Sequence, residues 1–376
     1  MNNPASKHQQ TAPDTPKRIV VGLSGGVDSS IAAYLLKQQG HDIEALFMKN
    51  WEEDDQDGHC NAAEDYSDAQ SVSEQLAIPL CERNFSAEYW DSVFEGCLSE
   101  FRAGRTPNPD ILCNKEIKFN VFLEHAINTG ADAIATGHYA QIKYLDNRYR
   151  LFKAVDKNKD QTYFLYTLDQ AQLARAVFPL GELTKDTVRE IARKLKLVTH
   201  DKKDSTGICF IGERKFKTFL QRFINKQPGE IRTADNELVG QHEGLSFYTI
   251  GQRKGLEIGG RKLKLGHNSG EPWYVAGKDL KTNTLIIAQG HDHPLLLSDK
   301  LTANQLHWIS GKAPETPFHC SAKTRYRQAD QPCTIEEINK DEIKVSFKTP
   351  QRAITPGQSI VFYNDEECLG GGIILN

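Results

Sequence analysis

The sequence predicts an α/β protein: an N-terminal doubly wound parallel sheet, a small central domain and a C-terminal β-barrel-like domain. Three observations predict it. Short apolar runs alternate with helix-like runs from residue 18 to about residue 140, and such alternation means parallel strands joined by crossover helices. After about residue 210 it gives way to short apolar runs between Gly, Asn and Pro, the pattern of sandwiches and barrels. The 376 residues suit two or three domains at roughly 100–200 residues each.

The elements follow in order. Residues 1–17 are polar, contain Pro and lack the apolar core of a signal peptide; they read as a flexible leader. Arg18 to Leu23 is a short apolar strand, followed by a Gly turn and a helix through Ile31 to Leu36. Glu44 to Met48 is the next strand, Ala62 to Leu76 a helix, and Ile78 to Glu82 leads into a third strand. Ser86 to Phe101 is helical, and Asp132 to Thr136 is a strand ending at Gly137-His138. Ligands of such a sheet sit beyond the carboxyl ends of the strands. The expected domains are 18–210, 211–290 and 291–376. The second begins with a basic amphipathic helix over 213–225. Strands are expected at Trp273 to Ala276, Leu285 to Ala288, Ile343 to Phe347 and Ser359 to Tyr363.

Apolar residues make up 39% and charged residues 26%, which excludes a collagen-like or largely disordered chain. No run approaches the ~20 apolar residues of a membrane helix, so no membrane partner is expected. Eight cysteines without a secretion signal do not make a disulfide scaffold at this length, and a reducing cytoplasm is the expected location. The net charge of -4 hides an asymmetry. Residues 1–188 carry 18 Lys+Arg against 28 Asp+Glu, residues 189–281 carry 19 against 11, and residues 282–376 carry 9 against 11. A basic middle section suits a local polyanion contact, or simply a solvated lysine-rich surface.

Two kinds of chemistry stand out. Ser24-Gly-Gly-Val-Asp-Ser-Ser30 follows the first strand and opens a helix. Gly25 and Gly26 permit positive φ and close backbone approach. Successive N–H groups and the helix N-terminus then face an anion, and Ser24, Ser29 and Ser30 add hydroxyls. No Lys follows as in a Walker loop. Asp28 is unusual beside polyphosphate unless it caps the helix or meets Mg²⁺; the bland alternative is a Gly-Ser turn with an Asp cap.

The second is a pair of cysteines. In Thr106-Pro-Asn-Pro-Asp-Ile-Leu-Cys113, two prolines stiffen a loop and a helix is expected to begin just after Cys113. A thiol at a helix N-terminus has its thiolate stabilised; Lys115 is close in sequence, and Asp110 is placed for proton transfer or substrate orientation. A buried cysteine in a Pro-kinked turn is the alternative. Cys209 lies between Gly207 and Gly212 in the lysine-bearing run from Lys202. Two cysteines in basic, turn-rich segments suggest a pair that meets in space. Neither has metal-ligand spacing, so no metal site is expected, and the other six cysteines read as structural.

The phosphate loop resembles that of the ATP-pyrophosphatases. With all three motifs in order, the chain from residue 17 onward resembles the bacterial tRNA-specific 2-thiouridylases. Ala135-Thr-Gly-His-Tyr139, Lys159 to Leu165, Gly251 to Leu256, Lys323 to Arg327 and Thr355-Pro-Gly-Gln358 agree. The resemblance implies an adenine-nucleotide alpha-hydrolase-like sheet for 18–210, a tRNA-contacting central domain for 211–290 and a C-terminal barrel. It implies ATP held by Gly22, Leu23, Ser24, Gly25, Gly26, Val27, Asp28 and Ser29, with adenine near Met48 and a contact at Gly137. ATP, accompanied by Mg²⁺ and with no permanently bound cofactor, adenylylates O2 of uridine 34, releasing pyrophosphate. A persulfide then attacks C2 and AMP leaves. The same resemblance makes Cys113 the nucleophile, Cys209 the persulfide carrier and Asp110 the acid/base. It places the flipped-out target base on Asn108, Pro109 and Asp110, and tRNA on His138, Lys159, Asp160, Gln161, Arg325, Tyr326 and Gln358. A sulfur-relay protein or cysteine desulfurase is the implied sulfur source. Competing readings are an ammonia-using amide ligase with the same loop and a nucleotide-regulated RNA-binding module; neither needs paired cysteines.

Overall fold

Ile19, Val20 and Val21 are all buried, but alternation along the strand sends Val20 into one apolar core and its two neighbours into another. A strand buried on both faces needs helices on both. The computed structural model, which describes residues 17–52, 61–204, 216–256, 258 and 271–376, has that arrangement. Strand β1 (Arg18–Gly22) leads to α1 (Val27–Gln38), β2 (Asp42–Lys49), α2 (Asn61–Leu76) and β3 (Leu80–Asn84). Helix α3 (Ser86–Tyr89) continues through a π-type turn, Trp90–Phe94, into α4 (Glu95–Arg102). Helix α5 (Pro109–Leu112) likewise continues through a π-type stretch, Cys113–Val121, into α6 (Phe122–Asn128). Then come β4 (Ala133–Ala135), β5 (Ala140–Leu145), β6 (Arg148–Lys153), α7 (Gln170–Leu173), β7 (Ala176–Val177) and α8 (Lys185–Lys194). The sheet order is β3-β2-β1-β4-β7, all parallel: the doubly wound sheet that the alternation predicts.

After α9 (Phe216–Leu220), the central domain is a four-stranded sheet, β10-β11-β8-β9. Its strands are β8 (Gly229–Thr233), β9 (Leu238–His242), β10 (Trp273–Asp279) and β11 (Thr284–Gln289). The helix expected over 213–225 is shorter: it ends at Leu220, and 213–215 lie outside the described residues. Aromatic packing accounts for its placement. Phe219 meets Trp51 and Phe94, and Phe223 in the following turn meets Phe94 and Trp90, so the segment docks on the first domain as it turns away.

The C-terminal strands are β12 (Leu297–Trp308), β13 (Phe318–Lys323), β14 (Gln331–Asn339), β15 (Glu342–Arg352), β16 (Ser359–Asn364) and β17 (Glu367–Ile374). They run β12-β15-β14-β13-β16-β17, and pairing of β12 with β17 closes the ring. One stretch departs from the expected domain 18–210. The hairpin β5–β6 lies within that span in sequence but pairs with β17, Leu151 opposite Cys368 and Phe152 opposite Glu367. Its turn residues Asp146 and Asn147 both take positive φ, as a two-residue hairpin turn requires. Arg150 pairs with Glu367 at 3.3 Å, and Lys153 pairs with Asp330. The hairpin thus ties the barrel to the parallel-sheet domain.

Leu151 is fully buried at this seam. Leu151→Ala is expected to lower unfolding free energy by about 2–5 kcal/mol in urea denaturation; a loss below about 0.5 kcal/mol, the scale of surface substitutions, would mean the hairpin does not pack there.

Candidate active site

At the carboxyl end of β1 the sheet hydrogen bond from Leu23 N to Leu46 O is the last before the chain turns. Gly25 takes φ +71°, and a Cβ there would lie 2.1 Å from the Asp65 carbonyl oxygen, so only glycine fits. Gly26 is the N-cap of α1, in extended conformation and with no side-chain cap. The serine hydroxyls hold the turn: Ser29 Oγ and Ser30 Oγ donate to Gly26 O at 3.1 and 2.8 Å, and Ser24 N donates to Ser29 Oγ at 3.2 Å. Gly137 lies against the same turn, where a Cβ would stand 2.7 Å from Ser29 N. Met48 is buried with its methyl 3.2 Å from where a Gly22 Cβ would be. The loop, Gly137 and Met48 are therefore neighbours around one strand end.

Asp28 does not cap the helix. Its carboxylate accepts from the Tyr139 hydroxyl at 2.8 Å and from Lys185 Nζ at 2.8 and 2.7 Å. Lys185 is almost wholly buried and also reaches Asp204 at 2.6 Å, where Lys159 and Arg189 join at 2.5 and 3.1 Å. Burial raises the Asp204 carboxyl, but hydrogen bonds from Lys159 and Lys185 outweigh it and hold the group down to about 2. The loop has no lysine of its own; α8 brings one to it. Sequence reading missed Lys185: its visible signal is Thr184, which caps α8, but nothing local marks the following lysine as buried.

The residues suit a nucleotide. The loop presents helix N-terminal N–H groups beside glycines that leave room for phosphate. Two positions past Met48, both amide atoms of Asn50 are buried without a hydrogen-bond partner, as is Trp51 Nε1. Such orphans cost about 1–3 kcal/mol each, and the edge of a heterocyclic base offers the donors and acceptors they lack. Among the described residues, no group of three or more His, Cys, Asp or Glu is placed to hold a metal ion.

The cysteine helix starts earlier than expected. It begins at Pro109 and not after Cys113: Asn108 Oδ1 accepts from Asp110 N and Ile111 N at 3.1 and 3.4 Å, with Pro109 in the first position. Asn as N-cap with Pro next is a helix start, where the sequence reading has only a loop stiffened by two prolines. Cys113 is thus a helical residue, fully buried, at the start of the π-type stretch. The helix-end field fades within the first turn and is weaker at Cys113 than the sequence suggests. Lys115 pairs with Glu116 at 3.0 Å. Cys97, read as structural, lies near Asp110: burial first, then the Asp110 charge, pushes its thiol up to about 12. Cys209 lies outside the described residues.

The residues expected to meet tRNA are mostly engaged within the protein. His138 is buried beside Phe119 and Phe178, 2.7 Å from Thr136 Oγ1, and burial pushes its pKa well down, leaving it neutral. Gln161 Oε1 accepts from Tyr139 N at 2.9 Å. Asp160 accepts from Thr162 Oγ1 at 2.8 Å, and Lys159 holds Asp204. Arg325 Nη2 donates to Ile250 O, Ala353 O and Thr355 Oγ1 at 2.9, 2.9 and 3.2 Å, and Tyr326 packs on Phe164. Gln358 donates to the carbonyls of Thr106 and Pro107 at 2.8 and 3.2 Å.

Three family profiles match: "tRNA methyl transferase HUP domain" over residues 17–213, "tRNA methyl transferase PRC-barrel domain" over 217–289 and "Aminomethyltransferase beta-barrel domain" over 298–374. The chain is 58% identical over 362 residues to the tRNA-specific 2-thiouridylase MnmA of Proteus mirabilis, covering 96% of this chain and 98% of that protein. It is 57% identical to the protein of the same name from Yersinia pestis, covering 96% of each. Among solved structures, the U34-tRNA thiolase NcsA from Methanococcus maripaludis is similar at 17% identity and a TM-score of 0.35, covering 56% of this chain and 65% of that one.

The Asp204 cluster has an acid limb. Its folded carboxyl lies below the ordinary value of 3.8, so its stabilisation is complete above about pH 4 and is lost as pH falls through about 2. Thermal midpoints measured from pH 7 down to pH 2 should show this limb in the wild type and a shallower one in Asp204→Asn; identical limbs would remove the cluster from the stability account.

Proposed function

This chain belongs to the family of tRNA-specific 2-thiouridylases, and from that membership we propose that it catalyses ATP-dependent 2-thiolation of the wobble uridine of tRNA. The near-full-length identity to the Proteus mirabilis 2-thiouridylase carries the reading, and the site chemistry supports it. Methyl transfer, the wording of the profile descriptions, leaves the phosphate cradle and the cysteine helix without a task, and an amide ligase leaves the cysteines idle.

The proposed reaction has two stages. The backbone N–H groups of Ser24–Ser29 and the first turn of α1 hold the polyphosphate, with Met48, Gly137 and the orphaned Asn50 around the nucleoside. Uracil O2 attacks the α-phosphorus and pyrophosphate leaves. This matters because a pyrimidine carbonyl oxygen is a poor leaving group and AMP a good one. The terminal sulfur of a Cys209 persulfide then bonds to C2 as the C2–O2 bond breaks and AMP departs; the Cys113 thiolate attacks Cys209 Sγ, the S–S bond breaks with its electron pair left on the sulfur of 2-thiouridine, and a Cys113–Cys209 disulfide forms. Alternatively, Cys113 attacks that persulfide, releasing hydrosulfide as the attacking sulfur and leaving a Cys113–Cys209 disulfide. Covalent sulfur transfer divides one hard displacement into easier ones.

Asp110 is the proposed acid/base, and Asn108, Pro109 and Asp110 the proposed seat of the flipped uracil. Lys159, Asp160, Gln161, Arg325, Tyr326, His138 and Gln358 stand as proposed tRNA-side residues. Mg²⁺ travelling with ATP, a sulfur-relay protein or cysteine desulfurase upstream and a cytoplasmic location belong to the same proposal. No helix among the described residues is long and apolar enough to cross a membrane.

The test is mass spectrometry of tRNA nucleosides after incubation with ATP, Mg²⁺ and a sulfane-sulfur donor, a cysteine desulfurase with cysteine. Wild-type protein should yield 2-thiouridine, while Cys113→Ser and Cys209→Ser should each abolish it with ATP binding retained. Wild-type yields from both variants would defeat the cysteine assignments, and no 2-thiouridine from wild type would defeat the function.

A further inference from the structure

Two thiols that the proposed reaction does not use face each other within the C-terminal barrel. Cys320 on β13 stands directly opposite Cys333 on β14 in the antiparallel ladder, and their sulfurs are 3.6 Å apart. Alternation along the strands puts both on the inner face: Ala322 and Ile335, two residues on from each, belong to the same apolar core. The intervening rung, His319 with Thr334, pairs its polar side chains with each other instead. Cys333 is buried and Cys320 only half-buried, so one sulfur of the pair is within reach of solvent. Residues opposed in such a ladder have Cα atoms about 4.5–5.5 Å apart, inside the roughly 4.4–6.8 Å that a disulfide spans. Closing the sulfurs to the ~2 Å of a bond then takes side-chain rotation and no strand movement. Two thiols fall short of the four ligands of a structural zinc site, and among the described residues no group of three or more His, Cys, Asp or Glu completes one.

The two cysteines are 13 positions apart, in the strands that flank residues 324–330. That loop carries Arg325, which holds Ile250 O and Ala353 O, and Tyr326, which packs on Phe164. The thiols thus stand at the base of a loop that joins the barrel to both other domains. We propose that Cys320 and Cys333 are a site of reversible oxidation, at which a disulfide clasps the base of the 324–330 loop. A peroxide is small enough for a half-buried thiol. The Cys320 thiolate attacks one peroxide oxygen, the O–O bond breaks, and a sulfenic acid and hydroxide result. The Cys333 sulfur then attacks that of Cys320, and the sulfenic hydroxyl leaves with the Cys333 proton as water. Two thiols are oxidised, hydrogen peroxide is reduced to two waters, and a thiol reductant reverses the bond. The hydrogen bond with Cys320, together with burial, pushes the Cys333 thiol up, so the exposed partner attacks first. In a reducing compartment a bond of this kind is transient and responsive. Neither thiol takes part in the thiolation proposed above, so the two readings stand or fall separately.

Full-length protein treated with hydrogen peroxide, alkylated and digested without reduction tests it. Peptide mass spectrometry should show Cys320 joined to Cys333 with the loss of two hydrogens, and dithiothreitol should restore both as alkylatable thiols. Cys320→Ser, a change of one atom at a half-exposed position, should give no crosslink. Hydrogen exchange over residues 324–330 should slow about threefold or more in oxidised wild type relative to reduced, and peroxide should leave it unchanged in Cys320→Ser. Free thiols at both positions after peroxide, or sulfinic acid at Cys320 without a crosslink, would overturn the site. A crosslink with exchange unchanged would overturn its action as a clasp.

Discussion

One buried ammonium group organises the nucleotide end of this protein. Lys185 lies between Asp28, in the first turn of α1, and Asp204, at the edge of the segment that leads to Cys209. A charge taken out of water is tolerable only when paired and hydrogen-bonded, so the lysine and both carboxylates must be present together. The pairing also answers an electrostatic objection. A free carboxylate in a polyphosphate loop would repel its ligand, but one neutralised by Lys185 and hydrogen-bonded by Tyr139 leaves the helix N-terminus to set the local potential.

A second constraint is mechanical. The helix bearing Cys113 begins at a cap, and the cap follows a loop that the first domain does not hold alone. Lys278, Gln358 and Pro356 reach it from two other domains, and Arg325 joins those domains behind it. Backbone carbonyls are good handles for this purpose: they cannot rotate away as a side chain can. The arrangement ties both outer domains to the start of the helix that bears Cys113.

The third feature is topological. A ring of six strands has no free edge except where it is deliberately opened, and here β17, paired with β16 along one edge, divides its other edge between β12 and β6. The β5–β6 hairpin uses this edge to attach the barrel to the parallel-sheet domain, with Lys153 buried at the seam against Asp330 and the Tyr363 ring. The basic middle section is partly absorbed in the same way: Lys202 is committed to Asp65 and Asp68, and Lys217 and Lys226 to Glu243.

Much of this was legible in residue order. The first strands and crossover helices follow from apolar periodicity, which depends on neighbours along the chain. The phosphate turn is legible for the same reason: Gly25, Gly26 and the serines act through their own backbone and hydroxyls. The hairpin at 140–153 was missed because its pairing partner lies some two hundred residues away, though the Asp146-Asn147 turn was a usable signal. The start of the cysteine helix was misplaced because Asn108-Pro109 was read for stiffness and not as a cap followed by a first-position proline. What the sequence by itself determined was local: strand and helix periods and the glycine turn. What only the tertiary structure decided was which polar groups meet: Lys185 with Asp28, Gln358 with the 106–107 carbonyls, Arg325 with carbonyls of two domains. Those are contacts between distant segments, and no property of a single segment specifies its partner.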